Sequence, residues 1–170
     1  MKESNFIVAL ENIESWTGNL LLPYDQKMPE GDLKRFSKGD VLFGKLRPYL
    51  AKALLAEQSG LCVGEALVFR PKKQLLNTFL MYRILTKDFI NYIDGSTQGA
   101  KMPRAEWEFI KTLQIAYPSI ENQKKIVDYI DSEVAKNDKV MKKVETQIEK
   151  LKEYRQALIT NAVTGKIMVN

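Results

Sequence analysis

Residues 120–162, IENQKKIVDYIDSEVAKNDKVMKKVETQIEKLKEYRQALITNA, form a run without glycine or proline. Its apolar residues recur at alternating spacings of three and four, which is the heptad pattern of a coiled-coil seam. The seam positions are Val127, Ile130, Val134, Asn137, Met141, Val144, Ile148, Leu151, Arg155, Leu158 and Ala162. Nine of these eleven positions are apolar. So narrow a stripe predicts a long helix that packs against a partner helix.

Asn137 and Arg155 are the polar members of this seam. Polar seam residues cost stability, but they select the register or the number of partner helices. Ser119 is placed to cap the first turn, and Gly165 lies just beyond the last. At about 1.5 Å per residue the helix would be roughly 60 Å long. The alternative is a helix that folds back on its own domain.

The sequence before Pro118 has a different character, with short apolar runs separated by turn residues. Such runs predict buried strands. We expect strands at 6–10, 41–43 and 66–69, and a further one led by Trp107, Ile110, Leu113 and Ile115. Apolar residues at mixed spacings of three and four over 77–92 predict an amphipathic helix, followed by a loop over 95–104.

These patterns together predict an α+β fold. A mixed α and β domain occupies residues 1–118, the long coiled-coil helix occupies 119–164, and a short tail occupies 165–170.

The overall charge favours an anionic partner. Lys and Arg number 26 against 21 Asp and Glu, which gives a formal net charge of +5. Nucleic acid and a phospholipid surface both fit this balance. The single cysteine, Cys62, cannot form an internal disulfide and is expected to be a core thiol in a reducing cytoplasm. The sequence shows neither a secretory signal nor an apolar run of the roughly 20 residues that span a bilayer.

Most catalytic chemistries lack their residues. The chain has no histidine, so it holds neither a Ser-His-Asp nor a Cys-His arrangement and no imidazole metal site. Phosphate-binding and dinucleotide-binding glycine motifs are absent from the sequence. Glu30 and Asp32 could in principle hold magnesium as in a nuclease, but Gly31 between them and the basic residues that follow are typical of a solvated turn. We therefore expect a non-catalytic protein without a cofactor or metal.

A basic and aromatic cluster follows the predicted strand 41–43. It contains Lys45, Arg47, Tyr49 and Lys52, with Pro48 restricting the backbone. Lysines here could contact DNA phosphates, and Arg47 could bond the edge of a guanine. The alternative is a basic turn with Tyr49 packed in the core.

The 95–104 loop supplies a second candidate cluster. Its polar residues are Ser96, Thr97, Gln98, Lys101 and Arg104. Side chains and backbone amides of such a loop could both contact DNA. A plain mobile surface loop would have a similar composition.

Several ordered motifs resemble those of type I restriction-modification specificity (S) subunits. Residues 36–50, FSKGDVLFGKLRPYL, resemble the "kGDvLfgklrPyl" segment of their target recognition domains, and residues 62–71 resemble the strand that follows. Two runs in the 95–104 loop, GST and MPR, resemble the loop before the last strand. Residues 117–127 are similar to the start of the conserved helix and 153–167 to its end. The match covers nearly the whole chain.

The resemblance implies a subunit that brings methyltransferase (M) subunits, and restriction (R) subunits, to a split site on double-stranded DNA. Each recognition domain reads one half of the site, and long helices packed antiparallel act as a ruler between the halves. The methyltransferase would carry S-adenosylmethionine and the catalysis.

The chain departs from the family pattern because it has one recognition domain and one long helix where a full subunit has two of each. It also reaches the 6–13 segment without the usual opening stretch. Two hypotheses follow: a half-subunit that pairs through its helix with a second S chain, or a truncated remnant or recombination cassette that reads DNA poorly. A coiled-coil scaffold that binds another protein and not DNA is the competing function.

Overall fold

The structure is a computed structural model that describes residues 6–21, 31–97, 99 and 101–167. Contacts divide the chain into two units, residues 1–126 and 127–170. The first unit holds all the described strands and three short helices, and the second holds most of one long helix. The predicted α+β class with a long C-terminal helix is confirmed.

Six short strands form two three-stranded sheets. Their bounds are β1 Ile7–Val8, β2 Leu33–Phe36, β3 Val41–Gly44, β4 Ala53–Leu55, β5 Gly60–Val63 and β6 Ala66–Phe69. The first sheet has the order β1-β5-β2, with β1 parallel and β2 antiparallel to β5. The second sheet has the order β4-β3-β6 and is antiparallel throughout. The strands predicted at 41–43 and 66–69 are confirmed as β3 and β6.

The central strand β3 explains the layered core of the first unit. Side chains alternate between the two faces of a strand. Val41 and Phe43 therefore join one buried cluster with the helices that follow β6, whereas Leu42 joins a second cluster with residues of the first sheet. All four residues of β3 are buried. The second sheet is thus covered on both faces, which accounts for a strand that is apolar without alternation.

Two helices follow β6 where one was predicted over 77–92. They are α1, Asn77–Ile84, and α2, Lys87–Asp94. The helix is interrupted because Thr86 is extended, with ψ 146°, and its hydroxyl donates to the carbonyl of Arg83 at 2.7 Å. Threonine side chains compete in this way with the backbone bonds of a helix. Both helices bury apolar side chains in one cluster, so the spacing alone resembles a single helix.

Two predicted strands are wrong in extent or type. Only Ile7–Val8 of the predicted strand 6–10 pairs as a strand; a 3-10 turn over Leu10–Asn12 follows, closed by the Asn12 side chain, which accepts from the Ala9 N–H at 2.9 Å. The segment led by Trp107 begins with a short helix, α3, Trp107–Ile110, and residues 111–118 form no strand. Its apolar residues Ile110, Leu113 and Ile115 pack against the core without strand pairing. Apolar residues that pack in this way leave the same pattern in the sequence as a buried strand, which is why a strand was predicted.

The long helix α4 runs over Ile120–Val163. At its start the Ser119 hydroxyl oxygen accepts from the Asn122 N–H at 3.4 Å, as expected for a cap. Beyond its end Gly165 has φ +71°, and the N–H groups of Gly165 and Lys166 donate to the carbonyls of Ala162 and Asn161 at 3.2 and 2.8 Å. This is a Schellman motif, which requires the left-handed conformation that glycine adopts without strain.

Cys62 is fully buried in β5, as predicted for a core thiol. Burial raises the pKa of its thiol, against the opposing effect of Lys34. The group is therefore protonated and unreactive at neutral pH.

None of the helices in the described part of the chain combines the length and apolarity that crossing a membrane requires.

Candidate nucleic-acid interface

The segment after β3 is a tight turn with an unusual backbone. A 3-10 turn over Pro48–Leu50 is flanked by Arg47 and Ala51, which have φ +51° and +47°. Non-glycine residues in this left-handed region are strained by about 1–2 kcal/mol each and persist where the surroundings fix them. Pro48 and Ala51 are buried, whereas Arg47 and Tyr49 are exposed. The turn therefore holds a guanidinium and a phenol ring at the surface, and the alternative of a core Tyr49 does not apply.

This turn and the 95–104 loop, which are distant in sequence, meet in the structure. Leu46 and Arg104 form an antiparallel bridge. The Arg47 N–H donates to the Pro103 carbonyl at 2.8 Å, and the Ala105 N–H donates to the Lys45 carbonyl at 2.9 Å. The two candidate clusters thus become one surface, which we call the basic surface and define by Lys45, Arg47, Tyr49, Lys101 and Arg104.

Glu65 lies between two cations of the basic surface. It occupies the turn between β5 and β6, where its carbonyl accepts from the Lys45 N–H at 2.9 Å. Its Oε1 atom is 3.0 Å from Nη2 of Arg104, and its Oε2 atom is 3.9 Å from Nζ of Lys45. The second contact is an ion pair but exceeds hydrogen-bond length. Oε2 is shielded from solvent and accepts no hydrogen bond in the described part of the chain.

Arg47 and Lys101 differ from Lys45 and Arg104, which lie beside Glu65. Both side chains are exposed, and neither forms an ion pair with a carboxylate of the described residues. They are the cations that can meet an anion without first giving up a partner.

Three other predicted site residues have structural partners. The Lys52 ammonium donates to the Leu10 carbonyl at 2.7 Å, which ties the side chain to the domain. The hydroxyls of Ser96 and Thr97 donate to the carbonyls of Ile93 and Asp94 at 2.6 and 2.7 Å and so close the C-terminus of α2. The hydroxyl oxygens keep their capacity to accept. Gln98 lies outside the described residues.

Sequence reasoning missed two neighbours of the basic surface. Glu65 lies in a motif that was recognised, but no local signal shows that its carboxylate faces Lys45 and Arg104. Trp16 lies beside the turn because its backbone N–H donates to the Ala51 carbonyl at 3.1 Å. Its side chain is exposed, and its backbone has φ +69°. Its distance in sequence from residues 47–51 hides this contact.

Within residues 6–21, 31–97, 99 and 101–167, no three His, Cys, Asp or Glu side chains are grouped so that they could hold a metal ion. Glu30, one of the two carboxylates considered for magnesium, lies outside that part of the chain. The basic surface offers cations and the Tyr49 hydroxyl to a ligand, and such groups can contact phosphates and base edges.

The seam of α4 is largely open to solvent in this single chain. Val127, Ile130 and Ala162 are partly buried, and the other eight seam positions are exposed. Exposed apolar seam side chains such as Val144, Ile148 and Leu151 range from 43% to 65% of full exposure. Val140 and Tyr154, which adjoin the seam, are exposed as well. An apolar stripe of this length is typical of a helix that has a partner.

The family model described as "Type I restriction modification DNA specificity domain" matches residues 17–150. The chain belongs to this family. The matched range includes the basic surface and the first seven seam positions of α4, Val127 to Ile148. The family description names DNA specificity, which agrees with the cations that the basic surface presents.

Two curated members of the specificity-domain family are similar in sequence. The EcoDI specificity subunit of a type I restriction enzyme from Escherichia coli is 23% identical over 94% of this chain and 36% of its own length. The EcoKI specificity subunit from Escherichia coli strain K12 is 27% identical over 59% of this chain and 22% of its own length. The chain thus spans about a third or less of these relatives.

Two solved structures share the fold. The HsdS subunit from Thermoanaerobacter tengcongensis superimposes with a TM-score of 0.68 at 22% identity, over 80% of this chain and 37% of that one. A chain from a study of complex assembly and conformational transition of the type I R-M system gives 0.71 at 20% identity, over 96% of this chain and 43% of its own.

Proposed function

We propose that this chain is a sequence-specific DNA recognition subunit of a type I restriction-modification complex. The observation that carries the proposal is the joining of residues 45–49 and 101–104 into one surface by the Leu46–Arg104 bridge. That surface presents the exposed cations Arg47 and Lys101 on a family domain whose description is DNA specificity. Sequence-independent attraction comes from such cations, and side chains that reach base edges supply the selectivity.

The strained turn over residues 47–51 supports this function. Left-handed non-glycine residues cluster where a fold must hold a side chain in a fixed place. Because the backbone that carries Arg47 and Tyr49 is already fixed before binding, less conformational entropy is lost when the turn docks on a ligand. A simple solvated turn would have no need of a strained residue on each side of Pro48–Leu50.

The partners in the proposal are double-stranded DNA, methyltransferase subunits and restriction subunits. The relatives are specificity subunits of type I restriction enzymes, and this chain carries one domain and one helix of such a protein. Catalysis and S-adenosylmethionine would belong to the methyltransferase. The complex would act in the cytoplasm, where the DNA is.

For the α4 seam we propose a second S chain as the partner, either another copy or a full-length subunit. The support is the length of the open apolar stripe, with Asn137 and Arg155 to fix its register. A symmetric pair would read a palindromic split site. The remnant hypothesis predicts instead a helix without a stable partner and a domain without base preference.

The double substitution Arg47→Ala with Lys101→Ala is expected to weaken DNA binding by roughly 10- to 100-fold at low salt, because about two phosphate contacts would be lost. The slope of log affinity against log salt should become shallower by about two. Fluorescence anisotropy with a labelled duplex across a salt series measures both quantities, using the full chain alone and with methyltransferase subunits.

The matched control is Lys72→Ala with Lys73→Ala, which removes the same charge. These exposed lysines follow Phe69, which pairs with Val41 at the start of β3. The basic surface begins at Lys45, after the other end of β3. An equal loss in the control would assign the effect to net charge. Wild-type protein without DNA affinity, even with methyltransferase present, would favour the scaffold function.

A further inference from the structure

Arg104 is held by a single polar contact. Its Nη2 atom meets Glu65 Oε1 at 3.0 Å, and the remaining donors of its guanidinium have no partner in the described part of the chain. Arginine has five N–H donors in a rigid planar fork. Because the side chain is still 48% exposed, most of that fork remains available to a ligand.

The backbone is held in place at both residues of the Glu65–Arg104 ion pair. The Glu65 carbonyl is bonded to the Lys45 N–H at the end of β3, and the Arg104 backbone is paired with Leu46. Both ends of the Glu65–Arg104 ion pair are therefore fixed to the same strand end. Nζ of Lys45 is 3.9 Å from the other carboxylate oxygen, Oε2, which is shielded from solvent and accepts no hydrogen bond in the described part of the chain.

A guanidinium held in this way suits one base best. Guanine offers two acceptors, O6 and N7, on its major-groove edge, and arginine bonds both at once. A fork that is already oriented loses less side-chain entropy when it docks. The carboxylate also repels phosphates, which lowers the affinity for DNA that offers no base contact in return.

We propose that Glu65 is a positioning residue that orients the Arg104 guanidinium to read a guanine in the DNA target. This role rests on the DNA-recognition function proposed above. Glu65 raises specificity from both sides: it stabilises the contact with the correct base and weakens binding to phosphates elsewhere.

The test compares the base preferences of the full chain, assembled with methyltransferase subunits, for the wild type and for Arg104→Ala, Glu65→Ala and Glu57→Ala. Wild-type protein should lose roughly 5- to 100-fold in affinity when one particular guanine of its site is replaced. Arg104→Ala and Glu65→Ala should both reduce that penalty, at the same position, to less than about threefold. Glu65→Ala should also raise the affinity for unrelated DNA and steepen its salt dependence.

Glu57→Ala is the matched control because Glu57 is an exposed carboxylate without an ion pair in the described part of the chain. It changes the net charge equally and should leave the guanine preference intact. Glu65→Gln keeps the shape of the side chain and one acceptor, so it should reduce the preference partially while preserving the fold.

Three results would overturn the inference. Glu65 does not position Arg104 if Glu65→Ala keeps the full penalty that Arg104→Ala loses. The role of Glu65 is structural if Glu65→Ala lowers the affinity for target DNA and for unrelated DNA by the same factor. Arg104 is not a reader if Arg104→Ala keeps the guanine preference. Wild-type protein without any base preference would instead contradict the recognition function itself.

Discussion

Changing Val144, Ile148 and Leu151 together to Asp is expected to turn a dimer of this chain into a monomer, with the dissociation constant raised by at least roughly a thousandfold. Each buried apolar side chain of this size contributes about 1.5–3 kcal/mol to the paired state. Three new carboxylates facing a partner helix would add an unfavourable desolvation free energy. Light scattering on a size-exclusion column measures the molar mass directly.

The matched control places three carboxylates away from the seam, as Ser132→Asp, Ala135→Asp and Thr146→Asp. These positions are exposed and lie outside the heptad stripe, so this variant should keep the wild-type mass. If the wild-type chain is a monomer at all accessible concentrations, the self-sufficient pair is excluded, and a full-length subunit becomes the partner to test.

Gln123→Glu is expected to lower the free energy of unfolding of the first unit by about 4 kcal/mol or more. The Gln123 side chain is fully buried. Its oxygen accepts from the Leu76 N–H at 2.8 Å, and its amide nitrogen donates to the carbonyls of Gln74 and Pro118 at 2.9 and 2.8 Å. The substitution keeps the shape but removes both donors and places a buried carboxylate against two carbonyl oxygens.

Urea unfolding at several pH values measures this effect, with the exposed Gln58→Glu as the control. Burial raises the folded-state pKa of the new carboxyl above its unfolded value, so the penalty should be largest above the folded pKa. It should shrink as pH falls, because the protonated carboxyl can donate to one carbonyl again. A penalty that matches the control, or that does not change with pH, would show that the three bonds do not hold the helix start.

The long helix and the strands β3 and β6 could be predicted from the sequence because their signals are local. The seam repeats over 36 residues, from Val127 to Ala162, and Ser119 and Gly165 lie within two residues of the ends of the helix. In β3, an apolar run between Gly39-Asp40 and a basic segment admits few other structures. The recognition motifs overlap these same elements, which is why the family could be identified from them.

The parts that could not be predicted depend on contacts between distant residues. The Glu65–Arg104 pair joins positions 39 residues apart, and nothing near either residue indicates it. Lys52 resembles its basic neighbours in sequence, but its ammonium bonds the Leu10 carbonyl. The break between α1 and α2 depends on the conformation of Thr86, which the apolar spacing does not encode. Local patterns thus predicted the segments that form the basic surface, but not which of their charged side chains have a partner.

Selection from a pool of random duplexes, with the full chain assembled on methyltransferase subunits, tests the recognition function most directly. The proposed function predicts enrichment of one split site with two defined halves, which are inverted copies if two identical chains pair through α4. Bound DNA without an enriched sequence, or with one equally enriched by methyltransferase alone, would contradict it.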